Sequence, residues 1–384
     1  MLRHTFGLLV LVAGFVLLGW LFPPSGSRYA VLREDAYFDK VRGAWQASLV
    51  ANHSGLALQG VYLDEPGPGA SVELLLLDQW STDDDTSVEW VDLHILEIHG
   101  LEPTYEQIRD EWVLHLNHDI WVAALRARQL MDQGVLPPDT GSAELNPDGA
   151  WSIGAQLQTE LFGLLAPGMP DEASRRAAYF ARVTNSGPAV EASRFYAAMY
   201  AMAFIEDDVG TLVRQAQQRF PASSTVYQIA DNVQRWHGQN PEDWRKTRRL
   251  IRDAYDNDPM WWASRVNFAS TLMALLYGQG DLQETLNIAG LAGWDADNNM
   301  TTAAGLLGII HGFAGLPDPI RVASDVYFNE DVTGDPVPSS AHHMPTYQTV
   351  PDIAARTQAL AEQAIVEAGG RVDSGRYLIP MTIP

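Results

Sequence analysis

GWDADNNMTTAAGLLGIIHG, residues 293–312, sets two carboxylates, Asp295 and Asp297, just ahead of an apolar run that reads as a helix from Met300 to Phe313. Carboxylates two residues apart, beside carboxamides, are the oxygen ligands that hard divalent cations take. The D-x-D-N start has the ligand density of a calcium loop. However, an EF-hand needs a glycine and a bidentate glutamate downstream, and here the helix begins at once. Capping of that helix by Asn298 or Asn299 is the purely structural alternative.

Toward the N-terminus a second acidic group stands in the same relation to a helix. Ser81-Thr82-Asp83-Asp84-Asp85-Thr86 precedes a segment in which Val88, Val91, Ile95 and Leu96 recur at helical spacing, up to Gly100. Three adjacent carboxylates repel one another. A helix dipole relieves part of that repulsion, and a divalent cation bound between them offers another way out. The two clusters lie about 210 residues apart. Each opens an apolar helix, so both can converge on one binuclear site.

The chain between and around them is punctuated as helices. Asp39 to about Gly60 reads as one helix, and Thr104 with Gln107 forms a capping box for another. Further helices are expected at 152–165, 171–183, 188–205, 208–219, 223–237, 241–256, 264–278, 281–292 and 299–313, with a last one from Asp352 to Ala368. Asp171, Asp208 and Ser223 or Ser224 suit helix starts, and Gly168, Gly238 and Gly280 suit stops. Residues 23–36 read as a linker, and residues 61–82, 135–151 and 314–350 as irregular. Strand-like alternation is scarce. The expected fold is therefore all-α, a compact multi-helix domain over residues 27–384 behind an N-terminal segment, 1–26. No fixed-period repeat is present, although Leu275 to Ala289 has the flavour of a helical-repeat interaction module.

Lys and Arg number 25 against 48 Asp and Glu, a formal charge of −23. Such a chain repels phosphate backbones, which argues against nucleic acid as a partner. With no cysteine, disulfides, thiolate metal sites and cysteine nucleophiles are excluded. Phe6 to Phe22 is uncharged and apolar, preceded by Arg3 and ended by Pro23-Pro24. It reads as a signal anchor that holds the protein to the membrane through residues 6–22, or as a cleaved signal that leaves it secreted. Either way the rest of the chain is placed outside the cytoplasm, on the periplasmic or cell-surface side.

These motifs, in this order, resemble the ADP-ribosylglycohydrolase family. The family has an early R-G-x-x-x-G…G-x-x-x-E segment, a T-D-D-T motif opening a helix, and a late G-G-D-x-D-T/N-x-A-x-x-x-G-x-x-x-G motif. This chain offers Arg42-Gly43 through Gly55 and Gln59, then Asp83 to Thr86. It ends with Gly293, Asp295, Asp297, Asn298, Ala303, Gly308 and Gly312. Gly154-Ala155-Gln156 and Gly163 to Gly168 resemble the family's middle segment. The resemblance spans about Asp39 to Gly370 and implies an all-α fold and a site for two magnesium ions that grips the ribose of ADP-ribose. It assigns Asp83, Asp84, Asp85, Asp295, Asp297 and Asn298 to metal, with Asp83 and Asp84 also catalytic. Gln59, Asn185 and Asn298 are assigned to the ligand. The implied partner is an ADP-ribose-like small molecule or an ADP-ribosylated protein, cleaved at the ribose C1″.

Asp83 stands where the first motif usually has Thr, and two further positions depart from the pattern. The stretch Ala51 to Gln59 puts Gln59 where the family has a glutamate, and an amide cannot act as a general base. Thr184-Asn185-Ser186 stands where many members have a histidine. A catalytically impaired ADP-ribose-binding or scaffold protein on the same fold is therefore the second reading. Elsewhere, His115 and His118 have ligand-like spacing but lack the glutamate of H-E-x-x-H, and they are not expected to hold zinc. His342-His343 reads as a solvated pair, Trp261-Trp262 as core, and the basic run Arg245 to Arg252 as a solvated helix face.

Overall fold

A computed structural model describes residues 28–81, 83–328 and 344–381. Strand β1 (Arg28–Arg33) runs directly into α1 (Glu34–Gly55). After an irregular stretch come α2 (Asp84–His99), α3 (Tyr105–His115) and α4 (Val122–Asp132). Three short 3₁₀ turns, Asp139–Gly141, Pro147–Ala150 and Gly154–Gln158, lead to α5 (Glu160–Leu164). Then follow α6 (Pro170–Ala181), α7 (Pro188–Met202), α8 (Val209–Gln217), α9 (Thr225–Gln239) and α10 (Trp244–Tyr255). The chain continues through α11 (Ser264–Gly278), α12 (Leu282–Ala292), α13 (Ala296–Gly315) and α14 (Asp318–Arg321). It closes with β2 (Val326–Phe328), β3 (Tyr347–Thr349), α15 (Val350–Glu367), β4 (Arg371–Asp373) and β5 (Arg376–Met381).

At the centre, α1 lies along α13. Gly43–Gly55 of α1 and Ala296–Ile309 of α13 are continuously buried on every face, as helices in the middle of a bundle are. Glycines permit the close approach. A β-carbon on Gly43 would stand 2.5 Å from the Gly308 carbonyl oxygen, and one on Gly308 would stand 2.4 Å from that of Gly43. At the end of α1 a β-carbon on Gly55 would stand 2.4 Å from the Cα of Asp297. This contact seats the C-terminus of α1 against the N-terminus of α13. The other helices pack outward from this pair, α12 and α11 against α13, and α15 against α1.

The helical expectation holds, and several bounds agree. The helix at 264–278 is found as expected, and Asp208 and Ser224 cap α8 and α9. The Thr104 box is formed at α3. Gly238 does not stop α9, which runs on to Gln239, and Asp171 lies in the first turn of α6 behind Pro170. The 152–165 segment is a 3₁₀ turn followed by a five-residue helix. Its backbone is drawn instead to Trp262, where Ile153 N–H donates to the carbonyl at 2.9 Å. The presumed linker contains β1, which pairs antiparallel with β5, Arg28 opposite Met381. That pairing joins the two ends of the described chain, so no local alternation announced it. The N-terminal anchor, 6–22, and His342-His343 lie outside the described residues. Among the described residues no helix is long and apolar enough to cross a membrane.

Candidate active site

Asp83 caps α2, its Oδ1 accepting from Asp85 N–H at 3.2 Å. Asn52, near the end of α1, donates to Asp83 Oδ1 (2.8 Å) and Asp85 Oδ2 (3.2 Å). Asn298, in the first turn of α13, donates to Asp85 Oδ1 (2.9 Å). Asp85 is thus held between the two central helices. Asp83, Asp84 and Asp85 each present a carboxylate oxygen within 4.8 Å of the others, with Asp83 and Asp85 buried and Asp84 partly so. Asp295 and Asp297 line the same pocket of about 270 Å³, together with Gln59. The sequence-derived capping by Asn298 or Asn299 is replaced by a start at Asp295. The two asparagines lie inside the helix, where Asn299 bonds Asn267 and Thr271.

Five carboxylates share this pocket, and among the described residues no lysine or arginine lines it. Burial first, and then neighbouring carboxylates, push the carboxyl groups of Asp84, Asp85 and Asp295 well above the ordinary range. Burial, then Asp83, raises Asp297 to about 7. His53, beside Ser81, is lowered by burial and offers no compensating charge. The buried oxygens Asp297 Oδ1 and Asn298 Oδ1 make no hydrogen bond. Concentrated negative charge and unsatisfied oxygens fit bound divalent cations, which take several oxygen ligands.

The remaining wall is aromatic and apolar. Trp261 and Trp262 are half-buried and line the pocket, so the core reading holds only in part, with Trp261 packed against the core, and Trp121 stands exposed at the pocket's edge. Val122, next to it, has φ of +45°, a strained conformation for a β-branched residue. Trp121 carried no sequence signal, because it is the N-cap residue of α4, a helix that was not expected. Asn185 is placed behind the wall. It does not line the pocket, and its amide donates to Gly149 O, Ser152 O and Ser152 Oγ. It therefore supports the 149–152 segment from beneath.

The basic run behind the late motif is not a solvated face throughout. Arg248 is fully buried and donates to the carbonyls of Tyr62, Leu63, Asp64 and Ala292. Its guanidinium lies 4.1 Å over the Trp294 ring. Gly293 (φ +86°) and Trp294 (φ +58°) form the turn that aims Asp295 into the pocket. A β-carbon on Gly293 would collide with Tyr62 O at 1.9 Å. Asn267 accepts from Asp295 N–H and donates to Trp261 O, joining the acidic turn to the aromatic wall.

A family model described as ADP-ribosylglycohydrolase matches residues 33–334, from the last residue of β1 to beyond the late motif. This chain belongs to the ADP-ribosylglycohydrolase family. Among solved structures, one titled "ADP-ribosylglycohydrolase-related protein complex" aligns with a TM-score of 0.58 and 18% identity, covering 85% of this chain and 98% of its own. That likeness concerns the fold. No curated protein matches the sequence. As an ADP-ribosylglycohydrolase-family fold, the chain brings its first and last acidic motifs to one pocket, and that acidic cluster can hold metal.

Proposed function

We propose that this chain is a magnesium-dependent glycohydrolase that releases ADP-ribose, or a related N- or O-ribosyl group, from an acceptor. The observation that carries the reading is the convergence of Asp83, Asp84, Asp85, Asp295 and Asp297 on a pocket with no cationic side chain among the described residues. Two magnesium ions held by these residues, with Asn298 beside them, would supply positive charge and Lewis acidity toward ribose hydroxyls. Trp261, Trp262 and Trp121 offer π faces for a base. In the hydrolysis, water attacks C1″ and the bond from C1″ to the acceptor breaks with its electron pair going to the acceptor atom; the water's proton passes to a carboxylate, and a proton is returned to the departing acceptor. Asp83 and Asp84 are the assigned acceptors of the water's proton. Both hydrogen bonds to Asp83 fall on Oδ1, which leaves Oδ2 clear of them.

Gln59 motivates the second reading, a protein that binds ADP-ribose without cleaving it, because its amide lines the pocket and cannot accept a proton at neutral pH. Full-length protein titrated calorimetrically with magnesium and ADP-ribose, followed by assay of ADP-ribose release from modified acceptors, separates the readings. Binding with turnover supports the hydrolase, and binding alone supports the second reading. Absence of magnesium binding sinks both. We further propose that residues 6–22 anchor the domain to a membrane with its pocket outside the cytoplasm.

A further inference from the structure

The geometry points to a second metal site, buried between α2 and α3 and built from His94, Glu111 and His115, with zinc as the ion it fits. Each residue offers one ligand atom, all three atoms lie within 4.8 Å of one another, and all three side chains are buried. The spacing is that of ligands on a single small ion. Zinc–nitrogen and zinc–oxygen bonds of about 2.0–2.2 Å at tetrahedral angles put two ligand atoms about 3.4 Å apart, and His115 Nε2 stands 3.3 Å from Glu111 Oε2. That His115 nitrogen is not aligned for a hydrogen bond and makes none. Two imidazoles on one tetrahedral ion also place their ring centres about 5 Å apart. The rings of His94 and His115 are 5.0 Å apart and perpendicular, at 89°.

The surroundings complete the arrangement. His99 Nε2 lies 2.8 Å from Glu111 Oε1, the carboxylate oxygen facing away from His115. An outer hydrogen bond of this kind orients a metal-ligating carboxylate. Glu111 and His115, four residues apart on α3, project from one helix face, and α2 brings His94 to them. Two imidazoles and one carboxylate suit zinc better than magnesium or calcium, which take oxygen ligands. A water would fill the fourth position. The site is separate from the acidic pocket, since the nine residues from Asp85 to His94 span about 13 Å of helix. Its role would be structural: it ties the far half of α2, whose first turn presents Asp83 to Asp85, to α3. His118, which shares a motif with His115 in the sequence, is exposed and takes no part.

The test is metal content of the full chain produced in zinc-supplemented medium and dialysed against a chelator. About one zinc per chain should remain, both in wild type and in an Asp85→Asn, Asp297→Asn double variant that disables the acidic pocket. His94→Gln and His115→Gln should each lower retention at least tenfold. Zinc absent from wild type, or lost in the aspartate variant and kept in the histidine variants, overturns the proposal. Cobalt-loaded wild type provides a readout that does not depend on the variants folding. The site predicts the intense visible absorption of four-coordinate cobalt, and a weak six-coordinate spectrum counts against it.

Discussion

At Asp297, charge, burial and folding are linked. Its carboxyl is raised from 3.8 to about 7 by burial and by Asp83. The fold therefore favours the protonated form. Without metal, that contribution to stability is fully present below about pH 4 and is lost as pH rises toward 7. Asp297→Asn is neutral throughout, so in chelator it should melt above wild type at pH 8 and alongside it at pH 4. Equal melting at pH 8 in thermal scans would show that Asp297 carries no such penalty. On the proposed hydrolase reading, Asp83 and Gln59 decide the chemistry. Asn is as good a helix cap as Asp, so Asp83→Asn should leave α2 intact. If Asp83 takes the proton, turnover should fall about 10²–10⁴-fold while ligand still binds. If wild type only binds, Gln59→Glu should create weak ADP-ribose release by restoring a carboxylate in the pocket. Robust wild-type turnover that survives Asp83→Asn would remove both assignments.

Helices α1 and α13 show why the glycines of the motifs matter. Gly308 touches the Gly43 carbonyl so closely that an added methyl has no room. Gly308→Ala should cost about 1–3 kcal/mol by overpacking, read as a lower urea midpoint, and should weaken the proposed metal binding by shifting Asp297 away from Gly55 at the end of α1. Gly238, in α9, meets nothing within 4 Å, so Gly238→Ala should be neutral or stabilise by up to about 1 kcal/mol. If both substitutions behave alike, close approach is not what selects glycine at 308. Arg248 plays the corresponding part for the late turn. Arg248→Met keeps much of the packing but strands four carbonyls, and should cost about 2–3 kcal/mol in denaturant unfolding. It should also loosen the turn that carries Asp295.

At the scale of the whole molecule, the chain closes on itself. β1 enters α1 without a linker and pairs with β5, so the beginning of the helical body and the end of the described chain are tied together. With residues 6–22 as an anchor, full-length protein should partition with membranes, and its domain should be open to protease from outside the cytoplasm. Intact, unprocessed protein in the soluble cytosolic fraction would count against that placement.

The features legible in the sequence were those written locally or as short motifs. Helix α11 shows in its apolar run, α3 in the Thr104–Gln107 box, and the acidic clusters at 83–85 and 295–297 in adjacent carboxylates ahead of helices. Helix periodicity, capping and charge clustering act over a few residues, so one window of sequence contains the whole signal. Tertiary structure alone decided the rest. Asn52 meets Asp85, and Asn298 meets it from the other side, because two glycine-bearing helices pack closely. Asn185 turns to the 149–152 backbone, Arg248 is drawn onto four carbonyls, the tryptophans open onto a pocket, and β1 finds β5. His115 leaves its sequence neighbour His118 for Glu111 and His94. Each of these depends on contacts between segments that are not adjacent in sequence, and the side chain's partner is chosen by which buried polar groups must be satisfied once the helices have packed.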